Sequence, residues 1–266
     1  MDIQNLENKD IPLLVELQPE GWNDIMPIID FYTKSSFCFP IKIISNNKII
    51  GIGTTIIHND VSWLGHIIVH PEYRNKGIGK LITQALINKA KEKNCTTIYL
   101  IATDLGEPVY KKVGFEEETE YLFFKDLKNN ENISISKNII EFNSSFKSQI
   151  INLDKEISGE NRVFQIEPHL KNAYVYKNEN DIEGFYLPTF GEGLILANNN
   201  FAGIELMKFR LKTQENAAFP VDNLKATEFM YQNNFKEFKK AKRMILGKKR
   251  LWQPQNIYNR IAGNFG

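Results

Sequence analysis

Apolar positions along this chain change period several times, and each change marks an element. Residues 3–6 read as a first strand, and Asp10 is a candidate cap for a helix over residues 11–17 that Pro19 ends. Ile25, Met26, Ile28, Ile29, Phe31 and Tyr32 form the apolar stripe of a second helix. Residues 41–45 and 49–57 flank Asn46-Asn47 and predict an antiparallel hairpin. Residues 63–69 are an almost unbroken, β-branched apolar run, which predicts a strand buried on both faces. Pro71 ends that ladder because it has no N–H to give. Beyond it, Ile78, Leu81, Ile82, Ala85, Leu86 and Ala90 recur at helical spacing. A strand over residues 96–102, a short helix over 108–112 and a strand over 121–124 complete the first half.

Residues 128–137 are polar and aperiodic, which places a domain boundary there. The division is then a first domain, 1–127, a linker, 128–137, and a second domain, 138–266. In the second, residues 193–197 read as a strand, 202–212 as a helix and 223–235 as another helix. The alternation predicts an α/β (α+β) fold in each half.

The chemistry concentrates between residues 63 and 80. A strand that passes through Gly77 and Gly79 into a helix leaves backbone N–H groups unpaired at the positive end of the helix dipole. Without Cβ atoms at 77 and 79 a bulky anion can come close, and Arg74, Lys76 and Lys80 add positive charge. This is a seat for a phosphate or pyrophosphate. A Walker loop is excluded, because Leu81 follows Gly79-Lys80 and Arg74 stands where the earlier glycine belongs. A dinucleotide fingerprint is excluded by Ile82 at the third glycine position.

What remains, Val69-x-Pro71-x-x-Arg74-x-x-Gly77-x-Gly79, resembles the coenzyme A loop of the GNAT family of N-acetyltransferases. The element order of residues 1–127 is the one that resemblance requires, and Tyr110-Lys-Lys-Val-Gly114-Phe115 is similar to the family's Y-x-x-x-G-F helix. The whole chain resembles bacterial tandem proteins in which an altered second domain of the same fold follows. Asn223–Phe235 lays over the same helix pattern, with Met230 in the tyrosine position and Asn234 for the glycine. Arg243-Met244 and Trp252-Gln253-Pro254 match the ending of those relatives. The loop Asn198-Asn-Asn200 has no arginine and only one late glycine, Gly203, so with Met230 in the tyrosine position the second copy is expected to lack both phosphate seat and acid. The resemblance thus implies two GNAT-like domains, each a mixed, mostly antiparallel sheet flanked by helices, the second degenerate.

It also implies roles. Acetyl-coenzyme A is the expected co-substrate, with no metal, held by Ile67, Ile68, Val69, Arg74, Asn75, Lys76, Gly77, Ile78, Gly79 and Lys80. Tyr110 is the expected acid for the leaving thiolate, and the Val69 N–H the expected oxyanion donor. His66 is a candidate base, the alternative being a strand histidine bonded locally. Trp22, Asp24 and Phe31 are candidate acceptor contacts, in an aromatic group with Tyr32, Phe37 and Phe39. The alternatives there are core packing for the aromatics and a turn or cap for Asp24.

Composition narrows the partners. At 266 residues with a net charge of +1, nothing favours nucleic acid or a membrane surface. Cys38 and Cys95 are too few for a disulfide framework and lack metal-ligand spacing, so a reducing, cytoplasmic setting is expected. The expected acceptor is a small amine, bound between the helix at residues 25–32 and the second domain. Two other functions stay open: an acyl-coenzyme A sensor without catalysis, and an aminoacyl- or thio-sugar-directed acyltransferase on the same tandem fold. Whether the chain forms a homodimer is also open.

Overall fold

A computed structural model gives the fold and describes residues 1–127, 134–179 and 181–266. In chain order its elements are β1 (Asp2–Asn5), α1 (Met26–Lys34), β2 (Cys38–Ser45), β3 (Lys48–His58), β4 (Val61–Val69), α2 (Ile78–Glu92) and β5 (Thr97–Ala102). Then come α3 (Glu107–Lys112), β6 (Glu116–Phe124), β7 (Ile139–Glu141), α4 (Lys147–Ser158), α5 (Val163–Ile166), β8 (Tyr174–Asn178) and β9 (Asp181–Leu187). The last are β10 (Leu194–Ala197), α6 (Asn200–Arg210), β11 (Ala217–Pro220), α7 (Leu224–Gln232), β12 (Glu237–Gly247) and β13 (Ile257–Asn259).

The chain divides into two units, neither of them one continuous stretch. Unit 1 is Met1–Glu117, Met244–Lys249 and Gly263–Gly266; unit 2 is Glu118–Arg243 and Arg250–Ala262. The expected division after residue 127, into uninterrupted halves, differs from this one. The reason is packing: Met244 and Leu246 belong to the apolar core of unit 1. Thr97 Oγ1 donates to the Lys248 carbonyl at 2.7 Å, and Lys248 N donates to the Thr96 carbonyl at 2.9 Å. Of the expected linker, residues 128–133 lie outside the described residues.

In unit 1 the strand order is β1-β2-β3-β4-β5, with Met244–Gly247 of β12 next to β5. β1 with β2, β2 with β3 and β3 with β4 pair antiparallel, whereas β4 and β5 run parallel. The β2–β3 hairpin turns through Asn46 and Asn47 at φ 48° and 60°, the left-handed pair that a two-residue turn demands and asparagine tolerates. Helix α2 lies against β3 over two glycines. A Cβ at Gly51 or Gly53 would meet Ile82 at 2.8 or 2.7 Å, so side chains there would push the helix off. Ile50, Leu64, Ile82, Leu86, Ile98, Leu100 and Met244 fill the core between them.

The expected helix near residue 11 is a 3-10 helix, Asn8–Leu17, with Pro12 inside. Asp10 is not its cap. Glu7 holds that place, and Asp10 closes a capping box from the third position by accepting from Glu7 N at 2.8 Å. Its carboxylate is buried against Lys42 Nζ at 2.6 Å.

Unit 2 has its own arrangement. Its part of β6 lies between β12 and β11, and a second, antiparallel sheet runs β13-β10-β9-β8-β7. Its core gathers Phe124, Ile195, Leu206, Met207, Phe219, Met230 and Tyr258. Among the described residues no helix is long and apolar enough to cross a membrane, and no group of three or more His, Cys, Asp or Glu is placed to hold a metal. Both units are mixed α/β, with mostly antiparallel sheets flanked by helices.

Candidate active site

The site begins where two strands of unit 1 part. β4 pairs with β5 from Val61↔Thr97 to Trp63↔Tyr99 and no further. Beyond that point β4 carries a bulge: its register with β3 shifts between Ile52 and Thr54, and His66 has φ 49°. At the far end His70 N donates to the Ile50 carbonyl on β3 at 2.9 Å. Amides alternate along a strand, so the N–H of Val69 points the other way, to the edge that β5 has left. The Val69 carbonyl accepts from Arg74 Nε at 3.3 Å, which ties the loop back to the strand end.

The loop then turns into α2. Asn75 at φ 60° and Gly77 at φ 81° are left-handed, and Gly77, the cap residue, has no side chain to bond the first-turn amides. A Cβ at Gly77 would meet nothing within 4 Å. At Gly79 it would meet only Val69 and Val109, at 3.8 and 3.9 Å. The helix start, the end of β4 and α3 therefore converge at residue 79. Arg74, Lys76 and Lys80 are exposed around this opening. Of the other expected donor contacts, Ile68 and Ile78 turn their side chains into the core, so only their backbone is free to serve. Ile67 packs half-buried against the same core.

Tyr110 lies on α3 with its ring in that core, edge-on to Phe115. No hydrogen-bond partner for its hydroxyl is found among the described residues, and burial pushes its pKa up to about 12. The ring has room because residue 106 is glycine. A Cβ there would stand 2.6 Å from Cε2 and 2.9 Å from the hydroxyl. Sequence reading missed Gly106, whose only signal was a glycine one turn before the tyrosine.

His66 is gathered with Tyr32 and Trp22. Tyr32 Oη lies 2.8 Å from His66 Nδ1, and the Trp22 ring meets the imidazole edge-on at 6.1 Å. Burial lowers the His66 pKa to about 4, so the ring is neutral at physiological pH. Phe31 is partly exposed beside Phe37 and Phe265, all in unit 1. Asp24 is not drawn in: its carboxylate accepts from Met26 N at 2.9 Å and starts α1. Phe39 also stands apart, beneath Lys93 at 4.8 Å.

Unit 2 has the corresponding parts, closed. The N-terminus of α6 is capped by Asn199, whose side chain accepts from Phe201 N and Ala202 N. Strand β13 bonds β10 at Ile195↔Asn259, and Arg260 N donates to the Ala218 carbonyl of β11 at 2.8 Å. It thus fills the space between β10 and β11 that β4 and β5 leave open in unit 1. Tyr258 lies over Gly203 and donates to Asn200 Oδ1 at 2.9 Å.

The sequence pattern of the Acetyltransferase (GNAT) family matches residues 3–115. Residues 3–115 are thus similar to the GNAT acetyltransferases, over less than half of the chain. Over 77 residues the chain is 26% identical to an uncharacterized N-acetyltransferase of Pyropia yezoensis, a match spanning 29% of this chain and 44% of that protein. Among solved structures, an acetyltransferase candidate of Pyrococcus horikoshii is similar along the whole length, covering 100% of this chain and 95% of its own, with TM-score 0.83 at 20% identity. A tandem GNAT protein from the clavulanic acid biosynthesis pathway aligns over 92% of this chain and 98% of its own, with TM-score 0.61 at 10% identity. At these identities the two structures establish the fold. Over 92% of its length the chain is thus similar in fold to a tandem GNAT protein.

Proposed function

We propose that unit 1 is an acetyl-coenzyme A-dependent N-acetyltransferase that acetylates the amine of a small molecule by direct attack on the thioester. The observation that carries this reading is the free β4 edge at Val69 beside an uncapped helix start, with the Tyr110 hydroxyl in the adjoining helix. The amides of residues 77–80 and the Arg74, Lys76 and Lys80 side chains would hold the pyrophosphate. The Val69 N–H would hold the thioester oxygen as it gains negative charge. Tyr110 would protonate the departing thiolate, for which it stays a phenol throughout the neutral range.

The acceptor must arrive as a free amine. For a lysine-like amine of pKa ~10.4 this costs about 4–5 kcal/mol at neutral pH. A histidine titrating near 4 gives weak help as a base, so solvent takes that proton. Trp22 and Phe31 would line the acceptor side with apolar surface, the usual lining of a small-ligand site. A cytoplasmic setting fits two buried, unpaired cysteines. Turnover of acetyl-coenzyme A by the purified chain, with small amines and amino acids set against histone-like peptides, tests the proposal. Higher kcat/KM on the small molecules, reduced by Trp22→Ala, is the expected result. Faster turnover on the peptides would overturn the acceptor class.

A further inference from the structure

One buried side chain far along the sequence reaches the proposed site. Within unit 1, Gly263–Gly266 packs beside β4 and α1. Asn264 Nδ2 donates to Tyr32 Oη, while Tyr32 Oη lies 2.8 Å from His66 Nδ1. Asn264 is 6% exposed and Tyr32 is fully buried. The approach depends on a missing side chain: a Cβ at Gly65, the residue before His66, would stand 2.6 Å from Asn264 Cβ and 3.2 Å from Tyr32 Oη. The neighbours hold the segment in place. Phe265 stacks on His58 with the ring planes 13° apart, and Gly266 lies against the Trp63 indole.

Hydrogen-bond polarity along this chain of groups has a consequence. The Asn264 amide N–H uses one Tyr32 lone pair, so Tyr32 Oη is an acceptor towards residue 264. Its own proton needs an acceptor in a buried setting, and His66 Nδ1 is the acceptor at hand. A neutral imidazole that accepts at Nδ1 carries its hydrogen on Nε2. No other partner for the His66 ring nitrogens is found among the described residues. The bulge that turns residue 66 out of the ladder and the hydrogen-bonded pair beneath it fix the ring from two sides.

We propose that Asn264 is a positioning residue which, through Tyr32, holds His66 as the tautomer protonated at Nε2, so that His66 offers the acetyl-transfer site a hydrogen-bond donor and not a base. The inference rests on the acetyltransferase reading for its use, but the tautomer itself is a property of the folded chain. A donor on the bulged strand three residues before Val69 suits the thioester or acceptor oxygen. The same nitrogen cannot take a proton from the amine while it carries its own.

The test is nitrogen-detected NMR of the full chain labelled in its histidine rings, at neutral pH, with kinetics alongside. The chain has only four histidines, and His66→Asn assigns the signal; asparagine tolerates the left-handed backbone there. The expected spectrum shows His66 protonated at Nε2. Tyr32→Phe, which removes one hydroxyl and keeps the ring, and Asn264→Leu should each raise the share of the Nδ1-protonated form. In both, kcat should fall by about tenfold, the scale of one hydrogen bond, with KM for acetyl-coenzyme A within about twofold. Nδ1-protonated His66 in the native chain, or a tautomer unmoved by both variants, would overturn the inference. Those results are read without any turnover, so a chain inactive on every acceptor would fail the acetyltransferase reading and leave this test standing. If Asn264→Leu does not fold, Tyr32→Phe gives the same readout.

Discussion

Gly106 makes room for Tyr110: a Cβ on residue 106 would stand 2.6 Å from the tyrosine ring. Residue 106 has φ −83°, which any residue adopts, so a side chain there acts by crowding alone. Gly106→Ala should therefore displace the ring and cost about 1–3 kcal/mol of stability, the usual scale of overpacking. Thermal unfolding reads the stability and steady-state kinetics reads kcat. A variant with unchanged Tm and unchanged kcat would show that the ring has slack the close contact denies.

Tyr110→Phe removes only the hydroxyl. Turnover should drop on the order of 10²-fold, while KM for acetyl-coenzyme A changes little, because the proton is needed only as the thiolate leaves. With its pKa pushed up to about 12, the phenol keeps its proton across the neutral and mildly alkaline range. The native pH profile should accordingly show no loss below about pH 10 that Tyr110→Phe abolishes. An undiminished kcat would mean that solvent supplies the proton.

His66 gives a stability signature. Its folded pKa is about 4, against about 6.5 for a free histidine, so between those values the unfolded chain binds a proton that the folded chain refuses. Stability then falls as pH drops from 6.5 towards 4. The full effect is up to about 3 kcal/mol, of which about 2 kcal/mol is gone by pH 5. The ring is faced by Tyr32 and Trp22, neither of which titrates in that range. Urea midpoints at pH 5 and pH 7.5 should differ more for the native chain than for His66→Asn. Equal differences would place the imidazole in water.

Much of unit 1 was legible because its signals are local. The Asn46-Asn47 turn, the β-branched run at residues 63–69 and the Gly77-x-Gly79 helix start each lie within a few neighbours, and the structure has all three where the periodicity puts them. The cap of the first helix was misread because Glu7 and Asp10 share one box, and the burial of Asp10 depends on Lys42 of a distant strand. Met244 in the core of unit 1 and Asn264 on Tyr32 were invisible for the same reason: more than a hundred residues separate the partners. His66 was a candidate base from its place on the central strand, but its hydrogen-bond partner and its φ of 49° required coordinates. In the second half, Asn198–Asn200 gave the expectation of no phosphate seat, while the capping of α6 by Asn199 required coordinates. That β13 also closes the space between β10 and β11 had no sequence signal, since three residues of strand look like any loop.

Gly79→Glu is the sharpest probe of the whole account. Gly77, at φ 81°, would confound charge with backbone strain, whereas a Cβ at residue 79 meets nothing nearer than 3.8 Å. The substitution places a carboxylate at the helix start, where the phosphates are to sit. Isothermal titration calorimetry with coenzyme A should give one equivalent bound per native chain, and no binding to Gly79→Glu at unchanged Tm. Two equivalents per native chain, or one equivalent still bound by Gly79→Glu, would contradict a single donor site at residues 74–80.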